Sequence, residues 1–543
     1  MDEKEAKGTY KIIQPLMLSA CIAVGMMIGY KMNEKPENAL ISSLDYPLDS
    51  MMMTGRVEEL LRFIENKYVD KVDSDKLIDA AMNGIFQELD PHSIYLSPEE
   101  TEAVNDQMNG AYDGIGIENY IIEDTVQVSN VLKNSPAQKA GIKIFDKIIS
   151  IDGNNVTGAD IQYSDVRNYL KQKPGTKVKL EIFRGGKQMI IEVVIGEVEI
   201  KTVSAQYIKE IETVLVKIER FGDDTYREFM EIIESNFSDQ KAKNIILDLR
   251  DNPGGFLPEA TNILCQIFEE KDKLLLYTEG RANKKNEYKT TGKRFFPIEQ
   301  VVVLIDENSA SASEIIAGAI QDWDRGVIIG RRSFGKGLVQ EQYKLNNGGA
   351  VRLTVARYYT PSGRSIQRAY DDKEVYDGDY HSRYKNGDFF HQDSTTNKNG
   401  KTYKTLVLKR NVEGSGGISP DIFVGMDTLY RNSNIMSAFT FLPEFAFRYA
   451  SKHQKSIPTD KKSFDAWTLP DGAINELNAF IKAQVESDQL VESRLWPSFK
   501  SEIKKQVRNI IFKNYDLGDL DNDKFVSEAI RVIKSKRSAA DFQ

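Results

Sequence analysis

Cysteine and histidine are scarce in this 543-residue chain. The two cysteines, Cys21 and Cys265, fall in an apolar N-terminal run and in a predicted helix, so no disulfide framework is implied and the compartment stays open. The four histidines, His92, His381, His391 and His453, have no metal-type spacing, which leaves a zinc site poorly supported. The same shortage gives a Ser-His-Asp triad few starting points. Excess basic charge is missing too: 72 Lys and Arg face 81 Asp and Glu, a net charge of −9 spread along the chain. Nucleic acid is therefore not an expected partner. Internal repeats are also absent. What the chain does have is length and an apolar content of 41%, more than one hydrophobic core usually organises, so two or three domains are expected.

Ile12 to Tyr30 carries no charged residue over 19 positions, about the length that crosses a bilayer core as a helix. It reads as a transmembrane signal anchor behind a short cytoplasmic segment, 1–11. Two rivals stand beside this reading: Leu18-Ser19-Ala20-Cys21 resembles a lipoprotein cleavage box, and a cleaved signal peptide is the other. In each, the bulk of the chain leaves the cytoplasm. The expected location is the inner membrane, single-pass, with the folded part in the periplasm or extracytoplasmic space.

Residues 31–50 are polar, contain Pro36 and Pro47, and read as a linker. Within 51–110, Val57, Leu60, Leu61, Ile64 and Tyr68 share one helical face, and Leu77, Ile78, Ala81, Ile85 and Leu89 share another after a candidate Ser74 cap. From 111 to 196 short strands with Gly turns predict a small β-rich domain, interrupted by one helix over Tyr163 to Leu170. From 197 to 430 strands and helices alternate, the pattern of an α/β layer structure. Its strands would be TVLVKI, NIILDLR, VVVLID and GVIIG; its helices would be Asp224 to Asn236, Leu257 to Glu269 and Ala312 to Trp323. The polar stretch 371–403 reads as an exposed insertion, and 431–543 as a helical C-terminal module.

The chemistry concentrates at three turns. Val301 to Ile305 runs through DENSASASE into a helix, so Ser311, the central serine of SASAS, sits at a strand-to-helix junction whose unpaired N–H groups can stabilise an oxyanion. Downstream, SFGKG sets Lys336 between glycines after a second apolar strand. Burial there would lower its pKa, and a neutral amine can serve as the base that a serine hydroxyl needs. Gln340, four residues on, could orient the amine. The turn LDLRDNPGG opens another helix and lets the backbone approach a carbonyl closely, with Gly255 as one oxyanion donor and Ala312 as the other. Each feature also has a plain structural reading as an N-cap or a turn.

These segments together resemble the C-terminal processing peptidases, or tail-specific proteases. The likeness runs from about Val57 to Met426 through LDPHSIYLSPEE, YDGIGI, SPAQKAGIKIFDKIISIDG, LDLRDNPGGFLPEA, NSASASEIIAGAIQD, SFGKGLVQ, LTVARYYTPSGRSIQ and GGISPDIFV, with Ser311 and Lys336 25 positions apart. It implies a serine endopeptidase with a layered α/β core of the ClpP/crotonase-like type and an inserted PDZ domain. The implied roles are Ser311 as nucleophile, Lys336 as base, Gln340 as orienting residue, and the N–H groups of Gly255 and Ala312 as oxyanion hole. Gly114, Ile115, Gly116 and Ile117 would hold the terminal carboxylate of a peptide tail. No cofactor, metal or nucleotide is implied. The partners would be envelope proteins with accessible C-terminal tails, and dimerisation or adaptor docking through the C-terminal helices both stay open.

Two positions depart from the family's pattern. Leu170 to Gly175 reads LKQKPG where members often carry Arg-Gly, so Lys171 stands in imperfectly for a coupling arginine. Phe145-Asp146 replaces the usual Gly-Asp, a change expected to alter loop shape more than function. His92 is expected to cap or pack, and the Asp519, Asp521 and Asp523 spacing to be a solvated acidic turn rather than a calcium loop, because Lys524 and Ile530 take the glycine and glutamate places. Rival functions are a catalytically inactive PDZ scaffold that binds peptides, and an acyl-thioester enzyme.

Overall fold

The computed structural model describes residues 48–392, 401–427, 439–485, 491, 493–512, 520 and 523–542. The expected anchor at 12–30 lies outside them, and among the described residues no helix is long and apolar enough to cross a membrane. The chain divides into two units, 1–84 and 85–543. In the first, helix α1 (Leu48–Lys67) is followed by α2 (Ser74–Gln87), which continues into the second unit. Along α1 Val57, Leu60 and Phe63 are exposed, as is Tyr68 just beyond it, and α2 buries no residue.

The second unit continues with β1 (Ile94–Leu96) and α3 (Pro98–Met108). Ser97 and Glu100 form a reciprocal capping box at the start of α3, with Pro98 at its first turn. Short strands take over as β2 (Ala111–Gly114), β3 (Ile117–Ile122), β4 (Thr125–Val131), α4 (Pro136–Ala140), β5 (Lys147–Ile151), β6 (Asn154–Asn155), α5 (Tyr163–Leu170), β7 (Lys177–Arg184), β8 (Lys187–Val194) and β9 (Gly196–Glu199). Strands β2 and β9 pair antiparallel where the chain enters and leaves this part. Between them a sheet of order β3-β4-β5-β7-β8 closes around its own core, which includes Val126, Val128, Ile148, Val178, Leu180 and Ile182.

The α/β part runs β10 (Val203–Ile208), β11 (Thr213–Ile218), α6 (Thr225–Glu234), β12 (Asn244–Asp248), α7 (Leu257–Ile267), β13 (Lys271–Glu279), β14 (Asn286–Thr291), β15 (Val301–Ile305), α8 (Ala312–Asp322), β16 (Val327–Gly330), β17 (Leu338–Lys344) and β18 (Ala350–Tyr359). After it come α9 (Lys373–Asp377), α10 (Asp379–Asn386), β19 (Thr402–Lys404), β20 (Asn411–Glu413) and β21 (Ile422–Phe423). The main sheet has the order β10-β11-β12-β15-β16-β21, parallel from β11 to β21. Its strands are continuous apolar runs because both faces are covered. Ile245, Leu247, Val301 and Val303 pack with α7 and α8, while Ile246, Val302, Leu304 and Ile329 face the other way. A second sheet, β1-β18-β13-β14 with β17 on β18, carries the lysine-bearing loop at the start of β17.

The C-terminal helices divide where one module is expected. Helices α11 (Leu442–Lys452), α12 (Lys461–Ala466), α13 (Gly472–Val485) and α14 (Trp496–Phe512) share a core of their own. The last helix, α15 (Lys524–Lys534), instead lays Val526, Ala529, Val532 and Ile533 on the second face of the main sheet. Its amphipathic pattern reads the same from sequence whichever partner it covers. Asp523, one of the acidic-turn residues, caps it by accepting the N–H groups of Phe525 and Val526.

Two further expectations change. The polar stretch 371–403 is not simply an exposed loop: α9 and α10 form there, and Tyr376, Arg383, Phe389 and Phe390 are buried. Polar composition hid these anchors because they are few among many Asp, Asn and Gly. Phe145 does more than reshape a loop. It holds a left-handed φ of 71°, unfavourable for a bulky residue, and places its ring 5.3 Å from that of Phe447 on α11, which also meets Tyr120 of β3 at 5.0 Å. The backbone strain is offset by this aromatic cluster between the β-rich part and the helical module.

Phe447 is fully buried. Phe447→Ala is therefore expected to cost about 3–5 kcal/mol locally and to speed amide exchange in β3. Unchanged exchange there, measured by mass spectrometry, would show that the cluster does not hold the two parts together.

Candidate active site

Three turns meet at the ends of β12, β15 and β16. Ser311 is the N-cap of α8 and adopts φ 54° and ψ −113°, a strained conformation for serine. The turn is fixed from below. Ser309 donates its hydroxyl proton to the Leu249 carbonyl at 2.8 Å, and the Asn252 carbonyl accepts from the Ala310 N–H and the Ser313 hydroxyl, each at 3.0 Å. Glycine is obligatory opposite. A Cβ on Gly254 would stand 2.7 Å from the Ser311 Cβ and 3.0 Å from the Ala312 nitrogen, and one on Gly255, at φ 144°, would meet the Phe221 carbonyl oxygen at 2.1 Å. This approach sets the Gly254-Gly255 backbone beside Ser311 and Ala312. The N–H groups of Gly255 and Ala312 find no acceptor among the described residues, as a pair of oxyanion donors requires.

Glu314, in the first turn of α8, is the residue the sequence reading missed. Its buried carboxylate accepts four donors: Oε1 from the Ser333 hydroxyl at 2.5 Å and the Gly335 N–H at 2.7 Å, Oε2 from the Ser311 N–H at 2.9 Å and the Lys336 N–H at 2.8 Å. One oxygen thus joins the backbones of Ser311 and Lys336. Tyr358 adds a second tie, its hydroxyl lying 2.5 Å from the Lys336 carbonyl and 3.2 Å from that of Ser311. Burial pushes the Glu314 carboxyl up to about 7, against the pull of its donors. Only the ionised form accepts from all four, since a protonated carboxyl would set its own O–H against one of them. The sequence signal was the S-x-x-E capping spacing from Ser311 to Glu314, which names a helix start and says nothing of the lysine loop.

Lys336 is half-buried, and its amine is held below the ordinary lysine range by burial first and by the nearby Arg352 guanidinium, with Glu314 and Asp90 opposing. Its Nζ donates to Gln340 Oε1 at 2.9 Å, and the Gln340 amide nitrogen donates in turn to the His92 carbonyl. Among the described residues Nζ makes no hydrogen bond to Ser311 Oγ. His92 thus lines the site through its main chain. Its ring bonds the Tyr376 hydroxyl at 2.6 Å, and burial, Lys336 and Arg368 push its pKa down to about 4, so it stays neutral at neutral pH.

The residues of the second predicted site also come together. Gly116, at φ 79°, lies so close to Ser135 that a Cβ would stand 2.4 Å from the serine Cβ, and the carbonyls of Ile115 and Gly116 accept from Ala137 and Leu132. The N–H groups of Ile115 and Gly116 have no acceptor among the described residues. Gly114 ends β2, and Ile117 begins β3. Strand β3 pairs with β4 along one edge; at its other edge the Ile121 N–H donates to the Tyr163 hydroxyl of α5 at 3.1 Å. That edge, between β3 and α5, suits addition of an extended chain. Lys171 points elsewhere, forming an ion pair with Glu102 of α3.

Comparison with known proteins follows the same division. The peptidase family S41 model matches residues 212–374, the PDZ domain model residues 113–195, and the model of the N-terminal domain of the activating protease CtpB residues 16–101. The carboxy-terminal processing protease CtpB of Bacillus subtilis is 30% identical over 344 residues, 62% of this chain and 70% of that protein. The carboxy-terminal-processing protease of Bartonella bacilliformis is 34% identical over 319 residues, 58% of this chain and 72% of its own. Among solved structures, a photosystem II D1 C-terminal processing protease aligns at 26% identity and a TM-score of 0.33, covering 57% of this chain and 84% of its own. With an α/β core, an inserted PDZ domain and relatives at this identity and coverage, the chain belongs to the carboxy-terminal processing proteases of peptidase family S41, and is a serine-type peptidase.

Proposed function

We propose that the chain cleaves proteins near their C-termini by Ser/Lys dyad chemistry, after its PDZ domain has engaged the substrate's tail. The observation that carries this reading is the single Glu314 oxygen that accepts from the N–H groups of both Ser311 and Lys336. In the neutral state Lys336 takes the hydroxyl proton as Ser311 Oγ attacks the scissile carbonyl. The oxyanion is stabilised by the N–H groups of Gly255 and Ala312, and the resulting ammonium returns its proton to the leaving amine. Water then attacks the acyl-enzyme carbonyl as Lys336 accepts its proton, and the intermediate collapses by breaking the acyl–Oγ bond, the ammonium returning the proton to Ser311 Oγ. Gln340 holds the amine in place throughout.

The tail's carboxylate would be received by the loop Gly114 to Ile117, with the chain extended along β3. Proteins of the cell envelope are the proposed substrates, with the enzyme held at the membrane by residues 12–30 and its folded part outside the cytoplasm. The length and lack of charge of that run support this location. Deleting residues 1–30 is expected to move the enzyme from the membrane fraction to the soluble one while cleavage of a tailed model protein persists. A deletion variant that still sediments with membranes would refute the anchor.

Ser311→Ala and Lys336→Ala are each expected to lower turnover of a tailed model protein by at least about 10³-fold while binding of the tail peptide is unchanged. Turnover within about tenfold of the unmodified enzyme in either variant, quantified by mass spectrometry, would exclude the dyad. The same mechanism fixes the sign of the pH dependence. Activity is lost as pH falls, because the Lys336 amine gains a proton and because Glu314, at about 7, begins to lose its acceptor capacity. Glu314→Gln, which sets an amide NH2 against two of the four donors, should lower kcat by about 10²-fold above pH 7, with a smaller deficit below it, where the wild-type carboxyl is itself protonated. Wild-type kcat in Glu314→Gln would remove the clamp from the mechanism.

A further inference from the structure

The Asp90-Pro91-His92-Ser93 turn has no part in the chemistry above, yet it reaches the general base. The Gln340 amide donates through Nε2 to the His92 carbonyl and accepts through Oε1 from the Lys336 amine. A carbonyl can only accept, so its presence dictates which end of the amide faces it and therefore which end faces the lysine. Were the His92 carbonyl displaced, the amide could rotate and oppose its own NH2 to the amine.

The turn is itself built to hold that carbonyl still. Asp90 Oδ1 accepts the N–H groups of His92 at 3.0 Å and Ser93 at 3.1 Å and the Thr354 hydroxyl at 2.9 Å, and Oδ2 accepts the Ser93 hydroxyl at 2.5 Å. Ser93 Oγ accepts the Thr354 N–H at 3.0 Å. Thr354 is the cross-strand partner of Gln340 in the β17–β18 pair, whose register is irregular between Val339 and Gln340. The anchor and the residue it orients thus sit on facing strands. From behind, the His92 ring is fixed by the Tyr376 hydroxyl, and Arg368 stacks on the Tyr376 ring at 3.8 Å. The charged and titratable groups facing the Lys336 amine are Arg352 from β18, Glu314 from α8, and Asp90 and His92 from the turn.

We propose that Asp90 is a positioning residue for the general base, acting through the His92 carbonyl on the Gln340 amide and through that amide on the Lys336 amine. The role rests on the Ser311/Lys336 reading for its catalytic meaning, but the geometry predicts an effect on the amine itself. An acceptor stabilises the ammonium form, so loosening the turn lowers the pH at which Lys336 titrates and also lowers the rate.

Thr354→Val removes one donor to Asp90 without changing charge, and Asp90→Asn weakens the whole turn. Trace acetylation of Lys336 across pH, quantified by mass spectrometry, reads the amine with or without turnover; kcat on a tailed protein is measured alongside. Both variants are expected to move the titration midpoint down, and Asp90→Asn to cut kcat by about tenfold with KM unchanged. In a Gln340→Ala background the Thr354→Val shift should vanish, because the link is already cut. An equal shift in both backgrounds, or no shift in either, overturns the proposal. Unreduced cleavage by Ser311→Ala would instead refute the dyad and leave the labelling result to stand alone.

Discussion

One buried carboxylate holds the Ser311 turn and the Lys336 loop together. Glu314 offers two oxygens to four donors drawn from the Ser311 turn and the loop 333–336, two chain segments that share no strand or helix. Burying a charge is costly unless it is paired or fully hydrogen-bonded, and here the compensation comes entirely from backbone N–H groups and one hydroxyl. The consequence is directional. The donors can satisfy Glu314 only if the loop 333–336 lies across the start of α8, so the same energy that tolerates the charge also fixes the position of Lys336 relative to Ser311.

That clamp needs a rigid base, which the main sheet supplies. Its central strands are covered on both faces, by α7 and α8 on one side and by α15 on the other. Each fully buried Val or Ile contributes about 1.5–3 kcal/mol, so α15 is part of the catalytic layer and not an appendage. It also touches the oxyanion turn's neighbourhood. Arg250, paired with Asp248 at 2.6 Å, bonds Asp523 at the start of α15, and the Phe525 ring lies 4.7 Å from the Arg250 guanidinium and 5.1 Å from that of Arg331. The last described helix and the LDLRDNPGG turn therefore share a charged contact.

Much of this was legible in the sequence because it is local. Apolar β-branched runs gave β11, β12, β15 and β16; glycines marked the turns; the spacing of Ser311, Lys336 and Gln340 pointed to one site. What stayed hidden depends on partners far along the chain. Glu314 looks like half of a helix cap until the lysine loop is laid over it. His92 contributes a backbone carbonyl, which no side-chain pattern encodes. Arg364 of the PSGR segment is fully buried against Asp322 at 2.8 Å and closes the far end of α8, a partner 42 positions away. Phe145 was seen as a departure, but its purpose lies 302 positions away in Phe447.

The strengths of these contacts decide how the PDZ domain is held. Against the protease part it has the β2–β9 neck and two ion pairs from α5 and its C-cap to α3, Arg167 with Asp106 at 3.3 Å and Lys171 with Glu102, all with exposed or half-exposed side chains. Such pairs contribute about 0–1 kcal/mol each and weaken with salt. Against the helical module it has Phe145 and Tyr120 on the fully buried Phe447, with Arg448 3.7 Å from Glu123. A buried aromatic outweighs exposed ion pairs by several-fold. Side-chain packing therefore fastens the PDZ domain to α11 more firmly than the two ion pairs fasten it to α3.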